Sequence, residues 1–168
     1  MKLSVLSSAR PLRLALLALL LTGAVACKKE KLPDGPEYFM RFKANGVQVE
    51  YSESTYAVFN NTTGFSNASF SGAQTESNMV LQIFWPTAIA EGIYTEAPGP
   101  GSFIPAALFG YAVEGGTLFS SGSAGGNATI NLSEIGVGFA RGTFSGVVVE
   151  TGEPDITIAD GEFYLLQP

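Results

Sequence analysis

No histidine and only one cysteine occur in 168 residues. These two scarcities remove much chemistry. Without histidine, neither a Ser-His-Asp nor a Cys-His nucleophile system can be assembled. Ordinary zinc, copper and haem sites lose their usual ligands as well. A lone cysteine forms no intrachain disulfide, although an exported domain would have use for one. Positive charge is also sparse: from Leu32 onward only Arg41, Lys43 and Arg141 are basic. A nucleic-acid partner needs a basic face to neutralise phosphates, so none is expected. No residue pattern supports a cofactor or electron transfer. The one catalytic apparatus left open is a carboxylate pair of the glycan-hydrolase kind, which needs two acids about 5 to 10 Å apart across a cleft. Fifteen acids are available, but no local motif selects two of them.

What is present begins with the leader. Lys2, Arg10 and Arg13 make a positive start, Leu12 to Leu21 is a Leu/Ala run interrupted by Arg13, and Thr22-Gly23-Ala24-Val25-Ala26 is a small-residue stretch before Cys27. That is the layout of a helical secretory signal peptide, expected to be cleaved. The uninterrupted apolar stretch from Leu14 to Ala26 is shorter than the roughly 20 residues that a transmembrane helix needs. An ordinary signal cut after Ala26, with Cys27 incidental, is the alternative. Removing residues 1–26 takes away three basic residues and no acid, so the formal charge goes from −6 to −9.

Ala24-Val25-Ala26-Cys27 resembles the lipobox of bacterial lipoproteins. The resemblance implies a diacylglyceryl thioether on Cys27, which would anchor the chain to a membrane through lipid. Each buried methylene contributes about 0.8 kcal/mol, and two or three acyl chains hold a protein where one does not. Cys27-Lys28-Lys29-Glu30 is similar to the start of lipoproteins of the Bacteroidota, which implies the outer membrane, facing either the periplasm or the cell surface. Residues 27–37, with Pro33 and Pro36 around Asp34-Gly35, read as a short tether.

Residues 38–168 read as one domain, strand-like almost throughout. The clearest element is FMRFKANGVQVEY, residues 39–51. Asn45-Gly46 is the strongest short hairpin signal, because a type I′ turn needs positive φ at both central positions. The register then sets Ala44 against Val47, Phe42 against Val49 and Met40 against Tyr51 on an apolar face. Lys43 meets Gln48 and Arg41 meets Glu50 on the other. Further strands are expected near 55–60, 65–71, 78–85, 92–96, 106–113, 116–120, 127–133, 138–150 and 155–166, with MVLQIFW (79–85) central in a sheet and GSAGGN (122–127) at a hairpin tip. Many short strands with Gly and Asn turns predict an all-β fold, a single antiparallel β-sandwich of jelly-roll or Ig-like type. GIYT (92–95), RGTFSG (141–146) and ITIADGEF (156–163) resemble a group of small Bacteroidota lipoproteins of unknown function. That likeness implies a β-sandwich of unknown function and transfers no catalytic residue.

Two clusters are candidates for binding. Glu153, Asp155, Asp160 and Glu162 offer carboxylate oxygens of the kind calcium takes, although the spacing is not an EF-hand and turns explain it without metal. Trp85, Tyr56, Tyr94 and Tyr111 could form a sugar-stacking platform; Trp85, between Phe84 and Pro86, also reads as the end of a core strand. The expectation is an outer-membrane lipoprotein acting as a non-enzymatic interaction or accessory module. A glycan-binding module is the alternative, and a carboxylate-dependent glycan hydrolase a third.

Overall fold

The computed structural model describes residues 37–97, 99 and 104–168. They form eleven strands: β1 (Phe39–Ala44), β2 (Val47–Tyr51), β3 (Ser54–Thr62), β4 (Phe65–Gln74), β5 (Ser77–Trp85), β6 (Gly92–Thr95), β7 (Ala107–Ala112), β8 (Leu118–Ser120), β9 (Asn127–Gly136), β10 (Phe139–Val148) and β11 (Ile156–Leu166). The signal, Cys27 and all of the tether but Glu37 lie outside the described residues.

The β1–β2 hairpin has the register that its sequence dictates, with all five expected pairs from Met40–Tyr51 to Ala44–Val47 in place. Asn45 and Gly46 take φ of 48° and 83°, the left-handed pair of a type I′ turn. The turn also docks elsewhere. The Asn45 backbone N–H donates to the Thr157 carbonyl at 2.9 Å, and Asn45 Oδ1 accepts from the Thr157 N–H at 2.8 Å. Asn45→Ala is therefore expected to cost about 1–3 kcal/mol, because it leaves a backbone N–H unpaired and puts a Cβ-bearing residue without a polar side chain at positive φ. A shift of the urea midpoint at unchanged slope checks it.

Strand pairing runs β6-β9-β10-β11-β3-β4-β5-β7-β8, with the β1–β2 hairpin attached to β11. The sheet is one curled, mixed sheet, a half-barrel. This corrects the expectation of strictly antiparallel pairing. β11 pairs with β1 from Ala44–Ile158 to Phe39–Tyr164, and just beyond that Leu166 meets Tyr56 of β3 in parallel. Those two residues are far apart in the chain, and no local signal announces their meeting. The GSAGGN segment is not a hairpin tip either. β8 pairs with β7, while β9 pairs with β10 and β6, so the segment carries the chain between the two wings of the sheet. Ser120 and Val149 exchange two backbone hydrogen bonds at 3.0 Å and tie β8 to the end of β10.

Alternation along the strands fills the interior. Met79, Leu81 and Ile83 of β5, Ile130 and Leu132 of β9, and Phe163 and Leu165 of β11 are all buried. β5 lies between β4 and β7, the central place that its apolar run predicts. Aromatic rings meet across the interior: Phe70 of β4 and Phe163 of β11 at 4.9 Å, and Phe109 of β7 and Phe144 of β10 at 5.8 Å, edge to face. The buried Ser121 hydroxyl accepts from the Phe109 N–H at 2.8 Å, which satisfies both groups.

Candidate functional site

The two wings of the sheet present different outer faces. β3, β4, β5, β7 and β8 contain no charged residue. All three basic residues of the described part lie on the other wing, on β1 and β10. Arg41 Nε donates to Glu162, and Lys43 Nζ donates to Asp160 at 2.8 Å. Arg41 also lies over the Phe39 ring at 4.7 Å. These hydrogen-bonded carboxylates raise the pKa of both cations. Arg41 faces Glu50 across the hairpin as expected, with Glu50 acting through space, and its hydrogen bond goes to Glu162 on β11. Among the described residues Arg141 has no ion-pair partner.

Arg141 belongs to a row that crosses four strands. Phe39 on β1 pairs with Tyr164 on β11, Tyr164 with Arg141 on β10, and Arg141 with Glu134 on β9. A β-bulge completes the row. Pairing shifts between Arg141–Glu134 and Gly142–Leu132, so Ser133 is the extra residue, and its hydroxyl donates to the Arg141 carbonyl at 3.1 Å. Leu132 points into the core, and regular alternation through Ser133 would turn Glu134 inward as well. With the bulge it stands beside Arg141. Phe39, Phe139, Tyr164, Arg141 and Glu134 enclose a shallow hollow of about 330 Å³. Phe139 packs against Tyr164 at 5.2 Å, and Tyr38 stacks on Tyr164 at 5.2 Å. The rings are half-buried, while Arg141 and Glu134 are exposed.

The sequence-based candidates fall elsewhere. Tyr94 is buried, packs edge-on against Trp85 at 5.3 Å and donates its hydroxyl to the Ala90 carbonyl at 2.7 Å. Gly99 also approaches Trp85 closely: a Cβ there would lie 2.8 Å from the indole ring. Tyr111 is buried edge-on against Phe42 at 5.5 Å. Only Tyr56 is exposed, and it sits on the wing whose strands carry no charged residue. The four aromatics therefore form no common platform. Of the calcium candidates, Asp160 and Glu162 are engaged by Lys43 and Arg41, and the Asp155 carbonyl accepts from Asn45 Nδ2 at 3.3 Å. Glu153 stands in the turn before β11 and donates its backbone N–H to the Glu150 carbonyl. Among the described residues no three acids converge as metal ligands would. Sequence reading passed over Phe39, Phe139, Tyr164, Arg141 and Glu134. A usable signal was there: Phe39 and Tyr164 are aromatic at the strand positions that alternate with core residues Met40 and Phe163.

One buried polar group gives the fold an alkaline limit. Burial pushes the Tyr51 hydroxyl up to about 12; a 2.9 Å hydrogen bond to Ser77 Oγ offsets part of this, and nearby Tyr111 adds to it. Burial raises Tyr111 as well. The folded state therefore holds these protons more tightly than the unfolded chain does. That stability is complete below about pH 10 and is lost as pH rises toward 12, by up to about 2–3 kcal/mol for Tyr51. Asp160 holds the Lys43 ammonium charged above its ordinary range, so Lys43 is a second contribution, on the cation side, to separate from the tyrosines at high pH. Urea midpoints measured from pH 8 to 12 should fall steeply for wild type and for Lys43→Met, and less steeply for Tyr51→Phe.

No family model, curated protein or solved structure matches the chain.

Proposed function

We propose that the chain is a lipid-anchored outer-membrane protein whose β domain is a non-enzymatic interaction module. The observation that carries this is Ala24-Val25-Ala26-Cys27 at the end of an apolar leader, followed at once by a lysine-rich tether. The anchor is lipid on Cys27, and the domain faces the periplasm or the cell surface. No nucleic acid is a partner, since two of the domain's three cations serve ion pairs within the fold. The non-enzymatic reading draws support from the same pairs, because Asp160 and Glu162 have structural partners. Aromatic contacts between the two wings support reading the curled sheet as sandwich-like. A second reading, glycan binding, is favoured by the aromatic hollow beside Arg141 and Glu134.

Intact-mass analysis of membrane-extracted protein tests the anchor. Wild type should carry two or three acyl chains and Cys27→Ala none, and protease shaving of whole cells should report which side the domain faces. A wild-type mass without acyl chains would refute the anchor. Turnover of a glycan that is lost in Asp160→Asn or Glu162→Gln would refute the non-enzymatic reading.

A further inference from the structure

We propose that the hollow between Phe39, Phe139, Tyr164, Arg141 and Glu134 is a binding site for an uncharged sugar ring. The inference rests on the glycan-binding reading above and assigns it a place and a ligand class. Its volume of about 330 Å³ is at the lower end of small-molecule sites, enough for one or two pyranose rings. The rings of Phe39, Phe139 and Tyr164 supply apolar surface of the kind that the C–H face of a pyranose can cover.

The polar pair specifies the rest. Arg141 brings only donors in a planar fork, and Glu134 brings only acceptors. A sugar hydroxyl both donates and accepts, so two neighbouring hydroxyls can serve both side chains at once. An acidic sugar would meet Glu134, and an amine would meet Arg141. The pair is neutral in sum, and a neutral ligand matches it. Arg141 is open to this role because no carboxylate among the described residues pairs with it, whereas Arg41 and Lys43 are both occupied. Glu134 is aimed here by the bulge at Ser133, a feature that costs a ladder hydrogen bond and turns an otherwise inward position outward.

The test uses the full lipidated chain in a polyoxyethylene detergent, which carries no sugar. Cellotriose, maltotriose, xylotriose, mannotriose and N,N′,N″-triacetylchitotriose, all uncharged, are titrated by saturation-transfer NMR and calorimetry. At least one should bind saturably. Arg141→Ala should weaken it about tenfold or more, the scale of a lost charge-assisted hydrogen bond. Phe139→Ala should weaken it several-fold, and Arg141→Lys should fall between wild type and Arg141→Ala, because it keeps the charge and loses the fork. Tyr56→Ala, on the other wing, should leave binding unchanged. Binding should persist in Cys27→Ala, which separates this result from the anchor test. The proposal is overturned if none of the five binds, or if Arg141→Ala binds as wild type does. Tighter binding of triglucuronate would refute the neutral class. Binding to phosphatidylcholine vesicles that survives in Cys27→Ala and is lost in Phe139→Ala would assign the hollow to membrane contact instead.

Discussion

Phe163→Ala is expected to lower stability by about 3–5 kcal/mol, the range for deleting a buried aromatic ring, out of about 5–15 kcal/mol for a whole domain. Phe163 is 1% exposed and contacts Phe70 at 4.9 Å and Phe144 at 6.4 Å. The contact with Phe70 matters most, because it joins β11 on one wing to β4 on the other. Between β11 and β3 the paired residues are only Leu166 and Tyr56. Cohesion there depends on packing, which places the loss in the upper part of the range. Urea unfolding at constant pH measures it. Phe163→Leu, which keeps most of the contact with Phe70, should lose clearly less. A loss below about 1 kcal/mol for the alanine variant would mean that backbone pairing holds the wings together without the ring.

Local rules were enough wherever the structure is local. Asn45-Gly46 fixed a turn type, the turn fixed a register, and the register put Met40, Phe42 and Tyr51 inside. The rules failed where the partner is distant. GSAGGN has the composition of a reversal, and the chain does turn there, but turn chemistry does not say which strands will pair. β8, three residues long, goes to β7 and leaves β9 for β10. The parallel meeting of Tyr56 and Leu166 has no local trace at all. Arg41 meets Glu50 as the hairpin register dictates, and its hydrogen bond to Glu162 on β11 is a further contact that no local rule supplies.

The site was less legible than the fold, for a related reason. Aromatic residues in a strand-rich chain read first as core, and most are: Tyr94, Tyr111 and Trp85 pack inward against rings and glycines. Strand parity separates the exceptions, and parity needs a register. Phe39 and Tyr164 share a face only because β1 and β11 pair, 125 residues apart in their contact. Glu134 required one more step. Regular alternation from Leu132 predicts an inward Glu134, and only the bulge at Ser133 reverses it. Asp160 illustrates the same effect on β11. Its φ of 52° sits at a second register shift, where its carboxylate is turned out toward Lys43.

Gly161→Ala is the second large effect expected, a loss of about 1–3 kcal/mol or more from overpacking. Gly161 pairs with Phe144, and Gly142 pairs with Phe163, on neighbouring strands. Each glycine makes room for the other strand's ring. A Cβ on Gly161 would lie 2.5 Å from the Phe144 carbonyl oxygen and 2.7 Å from its ring; one on Gly142 would lie 2.6 Å from the Phe163 ring. The ring is itself hemmed in by Phe42 at 5.7 Å and Phe109 at 5.8 Å, so it has little space to yield. The two obstacles can be told apart. If the ring is the main one, Phe144→Leu should cost less in the Gly161→Ala background than alone, with a coupling of about 0.5–3 kcal/mol. If the carbonyl is the main one, the two losses should add, because a smaller side chain leaves the backbone where it was. Additivity would make the cost one of strand spacing. The β10–β11 ladder would then have to open beside Asp160, and the Lys43–Asp160 pair would be the first contact on the outer face to weaken.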